Sequence, residues 1–318
     1  MTKLRLVTPM TKMLDRAKWH KPLVSIIITH RNYSGHLRDC LLSILDQTHE
    51  NWECVVVDDH SDAGEMLAAE RIVADIGDPR VHIWMLDENI GQIPAFFVGL
   101  DRTRGEFVCP LDPDDRYGET FLAEMVAAHL NPIRYCPLIA CDQHLMRDNQ
   151  VITGVQSAYA SRLVLEGVET GITVAEHLRW LPANLSGWHW ATTSSMMFRR
   201  PALVAIRPSK PLGYKRQIDA YLAPGAHILG GSMFLMKPLI YRCVHDGNGW
   251  LREDVWGQTQ APKLNSIGKQ CRADVEDAII VNGYGRDLER AKQGKRTLPQ
   301  RLRRSLAKRW GRWLGEAK

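Results

Sequence analysis

Residues 22–62 read PLVSIIITHRNYSGHLRDCLLSILDQTHENWECVVVDDHSD, and two periods alternate within them. Leu23-Val24-Ser25-Ile26-Ile27-Ile28 is a β-branched run long enough for a strand buried on both faces. Leu37, Leu41, Ile44, Leu45 and Thr48 then recur at helical spacing, and Cys54-Val55-Val56-Val57 makes a second strand. The alternation continues. Met66 to Ile76 marks a helix, Val81 to Met85 a strand, Gly91 to Leu100 a helix, Phe107 to Cys109 a strand and Phe121 to His129 a helix. Strands alternating with helices predict an α/β fold: a mostly parallel, Rossmann-like sheet with helices on both faces.

The remainder is less regular. Ile139–Cys141 and Leu239–Val244 read as strands, Thr173–Trp180 as a helix, and Trp188–Trp190 and Ser195–Phe198 as extended segments. Gly and Pro density predicts loops over Pro208–Gly213 and Pro224–Gly231.

The 7 cysteines show no paired spacing, which points to reduced thiols in a cytoplasmic protein and away from a disulfide framework or a zinc site. The first residues hold no continuous apolar run, so a secretory signal is not expected. No stretch approaches the roughly 18 apolar residues of a membrane span. The net charge of +5 is uneven: residues 286–318 carry 12 Lys and Arg against 3 acids, a net +9 that leaves the body at −4. A helix over 299–314 would set Leu302, Leu306, Trp310 and Trp313 on one stripe among cations, the pattern of a helix lying on an anionic membrane surface. A docked helix, a partner surface or an RNA-binding arm are the other readings of that segment. The acidic body argues against nucleic acid as the main ligand.

In an open α/β sheet ligands bind beyond the carboxyl ends of the strands. Here those ends are Thr29-His30-Arg31-Asn32, Asp58-Asp59-His60-Ser61-Asp62, Asp87-Glu88-Asn89 and Asp112-Pro113-Asp114-Asp115. Neither a Gly-rich dinucleotide loop nor a Walker A sequence is present to cradle phosphate. A carboxylate cluster attracts a hard divalent cation, which completes its shell with phosphate oxygens and water. Asp-x-Asp at a strand end therefore suggests a metal–diphosphate site. A solvated strand-to-helix turn is the plainer reading of any one cluster, and the preferred one for Asp62 and Asp87. Asp58 reads equally well as a turn cap.

The quoted stretch, followed by ENIG and then GEFVCPLDPDDRY, resembles the family 2 glycosyltransferases of the GT-A fold over about the first 130 residues, with a weaker likeness at IDAYL and YRCVHDGN. The resemblance implies an inverting, nucleotide-sugar-dependent enzyme using Mg²⁺ or Mn²⁺. It implies that Thr29, Arg31 and Asn32 line the nucleoside pocket and that Asp59 accepts from the base, fitting uracil N3–H. Asp112 would lie near the ribose or sugar. Asp114 would carry the metal, with Asp115 beside it and His245 near the metal or diphosphate. Asp219 would be the catalytic base. The division implied is a nucleotide-sugar-binding half over 21–130, an acceptor-binding half over 131–255 and a basic helical extension over 256–318. A UDP-sugar donor and a glycan or lipid-linked acceptor would be the partners, with peripheral attachment to the inner membrane face through 299–314.

Three departures stand out. Ala95-Phe96-Phe97 replaces an Ala-Arg-Asn element of the family, leaving Arg31 or Arg116 to substitute. Ile218, not Glu, precedes Asp219, and His60 stands where glycine is common. A non-catalytic GT-A module binding nucleotide-sugar or a partner is the alternative these departures leave open. A nucleotidyltransferase shares the alternation but ordinarily wants a Gly-rich, Lys-bearing first loop. Plainer readings also stand: Asp219 as an ion-pair partner of Lys215 or Arg216, His245 as a satisfied strand-end histidine, and Trp188 and Trp190 as core, not an acceptor platform.

Overall fold

The structure, a computed structural model, describes residues 21–131, 135–152, 172–175, 177–183, 190–245 and 261–296. Trp188 and the 299–314 segment lie outside them. The first strand, β1 (Val24–His30), leads into α1 (Ser34–Leu45). β2 (Trp52–Asp58), α2 (Ala63–Ile76), β3 (Val81–Met85), α3 (Gln92–Asp101) and β4 (Phe107–Leu111) follow in the expected alternation. The β1–β2, β2–β3 and β1–β4 ladders are parallel.

Alternation along β1 explains the layering. Val24, Ile26 and Ile28 face a core shared with Leu37, Leu41 and Ile44 of α1. Ile27 faces the opposite core with Ile93, Phe96 and Leu100 of α3. All four β1 side chains are fully buried, each worth about 1.5–3 kcal/mol. Gly99 lets α3 approach the sheet: a Cβ there would lie 2.6 Å from Ile27 Cγ2.

Beyond β4 the sheet becomes mixed. β5 (Arg116–Tyr117) and α4 (Phe121–His129) precede β6 (Leu138–Arg147) and β7 (Gln150–Val151). β8 (Ile172–Ala175) and β9 (Leu178–Leu181) form an antiparallel pair. The helix expected over Thr173–Trp180 is therefore wrong. Leu178 and Leu181 are buried and β9 pairs with the last long strand, so sheet pairing wins over the short helical pattern. β10 (Met196–Arg199), α5 (Arg200–Ala205), α6 (Ile218–Gly230) and β11 (Ser232–Cys243) complete the body. Among the described residues the order is β3-β2-β1-β4-β10-β6-β11-β9-β8, with β5 on β11 and β7 on β6. β10 runs antiparallel to both neighbours, whereas β6 and β11 are parallel.

The loop expected over Pro224–Gly231 is also wrong. Pro224 lies inside α6, whose Tyr221, Leu222, Ala223 and Ala226 are buried. Gly225 permits the next helix to pack closely, since a Cβ there would meet Val275 at 2.9 Å. That apolar face outweighs the cost of an interior proline. α7 (Ala261–Val281) and α8 (Gly285–Arg296) pack against α6, burying Val275, Ile279 and Leu288 in the same core. No described helix is long and apolar enough to cross a membrane. All cysteines are free thiols, and all but Cys243 are buried.

Candidate active site

The order β3-β2-β1-β4 places a topological switch between β1 and β4, the point at which open α/β sheets bind ligands beyond the carboxyl ends of their strands. These strand ends are braced by buried polar groups. His30 Nδ1 lies 2.7 Å from Asp58 Oδ2, with both side chains fully buried. The Tyr33 amide donates to His30 Nε2, so Nδ1 carries the proton and donates to Asp58. Asp58 also accepts from the Ser61 amide and hydroxyl, at 2.8 and 2.6 Å. Burial alone would raise the Asp58 carboxyl, but these donors hold it below its usual value. Asp58 thus does cap the turn. Asp62 stands at the α2 N-cap without a side-chain cap bond. Its carboxylate accepts from Asn32 Nδ2, and its amide donates to Asn32 Oδ1.

Asp59, also buried, accepts from the Ile90 and Gly91 amides at 2.8 and 2.9 Å. Burial nonetheless raises its carboxyl, against those bonds and the charges of Arg31 and Lys215. Thr29 shares the face of Ile27 by strand alternation and is partly exposed at the end of β1. His60 adopts φ 57°, the left-handed region where a glycine carries no Cβ penalty.

The turn after β4 is held from within. Ser194 Oγ donates to Asp115 Oδ2 at 2.6 Å and accepts from the Asp112 amide at 3.1 Å. The Cys243 amide donates to Asp115 Oδ1 at 3.1 Å, tying the turn to the end of β11. Asp115 is buried, and burial with the Asp114 charge pushes its carboxyl up to about 7. Asp112 is raised well above the usual range, first by burial and then by the charges of Asp115, Asp114 and Asp219. Arg242 opposes them. Four carboxylates from the β4 turn and α6 therefore share one field. Asp219 stands in the first turn of α6, bonded to the Ala220 amide at 2.7 Å, and burial raises it too. It forms no ion pair with Lys215 or Arg216 among the described residues.

His245 Nε2 lies 3.1 Å from Asp114 Oδ2. His36 stacks on His245 at 4.5 Å between centroids, and Tyr33 meets it edge-on at 5.8 Å. Burial and the neighbouring His245 lower the His36 ring. A divalent cation fits this pair chemically: one carboxylate oxygen and one imidazole nitrogen converge, and Mg²⁺ or Mn²⁺ at such sites takes its remaining ligands from phosphate and water. No group of three or more His, Cys, Asp or Glu suited to a metal occurs among the described residues. Most of the shell would have to come from a bound diphosphate.

The structure thus brings Asp112, Asp114, Asp219 and His245 together, and Arg31 close to Asp59; Thr29 is the next-to-last residue of β1. Asn32 faces Asp62. Arg116, offered as a substitute cation, is committed to Asp39 at 2.5 Å and Asn149 at 2.9 Å. Trp190 is core, with Nε1 donating to Ser232. Sequence reasoning missed Ser194, Arg242 and the His36–Tyr33 bracket. Only the Ser-Ser before β10 and the Arg one residue past Tyr241 could have signalled them, and neither forms a motif alone.

A parallel sheet ending in carboxylates at its switch point, extended by a mixed half, defines a GT-A-like fold. Residues 25–151 match the family described as Glycosyl transferase family 2. A teichuronic acid biosynthesis glycosyltransferase designated putative, TuaG of Bacillus subtilis, is 38% identical over 30% of this chain and 38% of its own length. The match thus spans under half of that relative. Among solved structures, TarS residues 1–349 of S. aureus in complex with UDP superposes with a TM-score of 0.53 at 16% identity, covering 85% of this chain and 91% of that one. The mannosyltransferase PcManGT of Pyrobaculum calidifontis, in complex with GDP-Man and Mn²⁺, also gives 0.53 at 16% identity, over 84% and 74%. At such identity the likeness is one of fold. Residues 25–151 are thus similar to glycosyl transferase family 2, and the chain has a GT-A-like fold.

Proposed function

We propose that this protein moves a sugar from a nucleotide-sugar, with a UDP-sugar as donor, to a hydroxyl of a glycan or lipid-linked acceptor, inverting the anomeric configuration. The observation that carries the reading is the pairing of two groups of residues: Asp59 at the nucleoside end, and Asp112, the Asp114–His245 pair and Asp219 at the reacting end. The likeness of residues 25–151 to glycosyl transferase family 2 supports sugar transfer, and the UDP complex of TarS supports the donor class. Asp114 and His245 are the residues that would hold Mg²⁺ or Mn²⁺, and such a cation supplies positive charge to the departing diphosphate.

The chain's own groups divide the remaining work. Asp59 and the β1 rim hold the nucleoside, and Asp112 orients the ribose or sugar. Asp219 takes the proton of the acceptor hydroxyl as its oxygen bonds to the anomeric carbon. The bond from that carbon to the diphosphate oxygen breaks on the opposite face, and its electron pair leaves with the diphosphate. Removal from bulk water raises the Asp219 carboxyl and makes it a stronger proton acceptor than a solvated aspartate. The basic 299–314 segment supports attachment at an anionic membrane surface, where lipid-linked acceptors reside.

The test is turnover of a panel of UDP- and GDP-sugars by the purified full chain with Mn²⁺ or Mg²⁺. Release of a nucleoside diphosphate from one donor, dependent on the cation, is expected. Tight nucleotide-sugar binding without turnover on any acceptor would instead favour a binding module.

A further inference from the structure

The diphosphate of a bound donor needs cations, and the strand-end residues named above supply only Arg31. α3, which begins beside the site, reads QIPAFFVGLD and has no Lys or Arg, and its Ala95, Phe96 and Phe97 are buried in the core. The carboxylates Asp112, Asp114, Asp115 and Asp219 crowd the site, so an incoming anion meets repulsion that one divalent ion only partly offsets.

Arg116 being committed to Asp39, four other basic residues act on the groups of the site. Arg31 and Lys215 bear on Asp59, at the nucleoside end. The charge of Arg242 lowers the Asp112, Asp115 and Asp219 carboxyls and so offsets three of the carboxylates. Arg216 is exposed, forms no ion pair among the described residues, and opposes the charges of Asp114 and Asp112 at the Tyr33 phenol; it lies three residues before Asp219.

Arg216 also sits in a segment that is clamped. The Lys215 carbonyl accepts from the Gln92 amide at 2.8 Å, and Lys215 Nζ donates to Asn89 O and Oδ1 at 2.8 and 3.0 Å. Gly91, at φ 97°, leaves room for this contact, since a Cβ would lie 3.1 Å from Lys215 Cα. Gln92 in turn donates to Asp112 at 3.3 Å, and Gly91 to Asp59. On the other side, Gln217 takes a left-handed conformation, φ 79°, and turns the chain into α6, where Asp219 follows. A non-glycine residue held there is strained and needs surrounding contacts to sustain it.

We propose that Arg216, anchored through Lys215 on the 89–92 turn, binds the diphosphate of the nucleotide donor. The cation thus comes from the loop before α6 and not from α3, and donor binding bears directly on the helix that presents Asp219. The inference rests on the donor reading above.

The test compares Arg216→Gln with the wild-type full chain. UDP, GDP, uridine and guanosine are titrated with Mn²⁺ present, by calorimetry or ligand-observed NMR. For the diphosphate that the wild type binds, affinity falls about tenfold or more, as expected for a charge-assisted contact, while the matching nucleoside binds unchanged. Arg216→Lys recovers part of the loss. Equal diphosphate affinity in Arg216→Gln, or a parallel loss for the nucleoside, overturns the assignment. Failure of the wild type to bind either diphosphate is a different result: it removes the donor reading, and this inference with it.

Discussion

His245 Nε2 stands 3.1 Å from Asp114 Oδ2 across a separation of 131 residues. Nothing local brings them together. The contact exists because Asp115, next to Asp114, accepts from the Cys243 amide two residues before His245, and from Ser194 beneath the turn. The His36 ring stacked on His245 then limits its rotation.

If this pair grips a cation on the donor diphosphate, Asp114→Ala removes the Mn²⁺-dependent part of nucleotide binding. His245→Ala weakens Mn²⁺ by about tenfold or more, the scale reported by substitutions around metal sites. Electron paramagnetic resonance of Mn²⁺, titrated with and without UDP, reads both. Unaltered Mn²⁺-dependent UDP affinity in Asp114→Ala would remove the metal assignment.

Asp219→Asn separates chemistry from binding. The amide keeps the size of the side chain and its acceptor for the Ala220 amide but cannot take a proton. Donor affinity is expected to hold while transfer falls roughly 10²–10⁴-fold. The carboxyl must be ionised to act and burial raises it, so wild-type kcat should climb with pH above the ordinary carboxylate range. Asp219→Asn should lack that limb. Normal turnover by the variant would transfer the base role elsewhere.

Much of this site was legible because its signals are local. Val24 to Ile28 could only be a buried strand, and polar residues following four such runs marked one sheet edge. What was not legible depends on distant contacts. Pro224 and Gly225 read as a loop until the buried face of α6 and the close approach of α7 outweigh their propensities. Leu178 to Leu181 carries no strand signal without β11 beside it. His60 looked like a departure from glycine, and its φ of 57° explains why glycine would suit the position. Arg242 and Arg216 are ordinary in sequence, and only the placement of four carboxylates distinguishes them.

The buried His30–Asp58 bond joins the ends of β1 and β2, and Arg31, Asn32 and Asp59 hang from those ends. Asp58 receives three donors: His30 Nδ1–H, the Ser61 amide and the Ser61 hydroxyl. An asparagine there has one oxygen, so Asp58→Asn sets an amide N–H against at least one donor. The loss should be on the order of 2–4 kcal/mol, read as a lower urea midpoint. Its pH dependence has a definite sign. Hydrogen bonds hold the folded carboxyl below its unfolded value of about 3.9, so its contribution is present above that pH and is lost as pH falls through the lowered folded value. The variant should therefore lose less stability than the wild type on acidification below about pH 4. Donor KM should rise in the variant while kcat stays near the wild-type value, because the displaced turn carries nucleoside contacts and not the base. Superimposable urea curves at pH 7 would show that this brace contributes nothing to the fold.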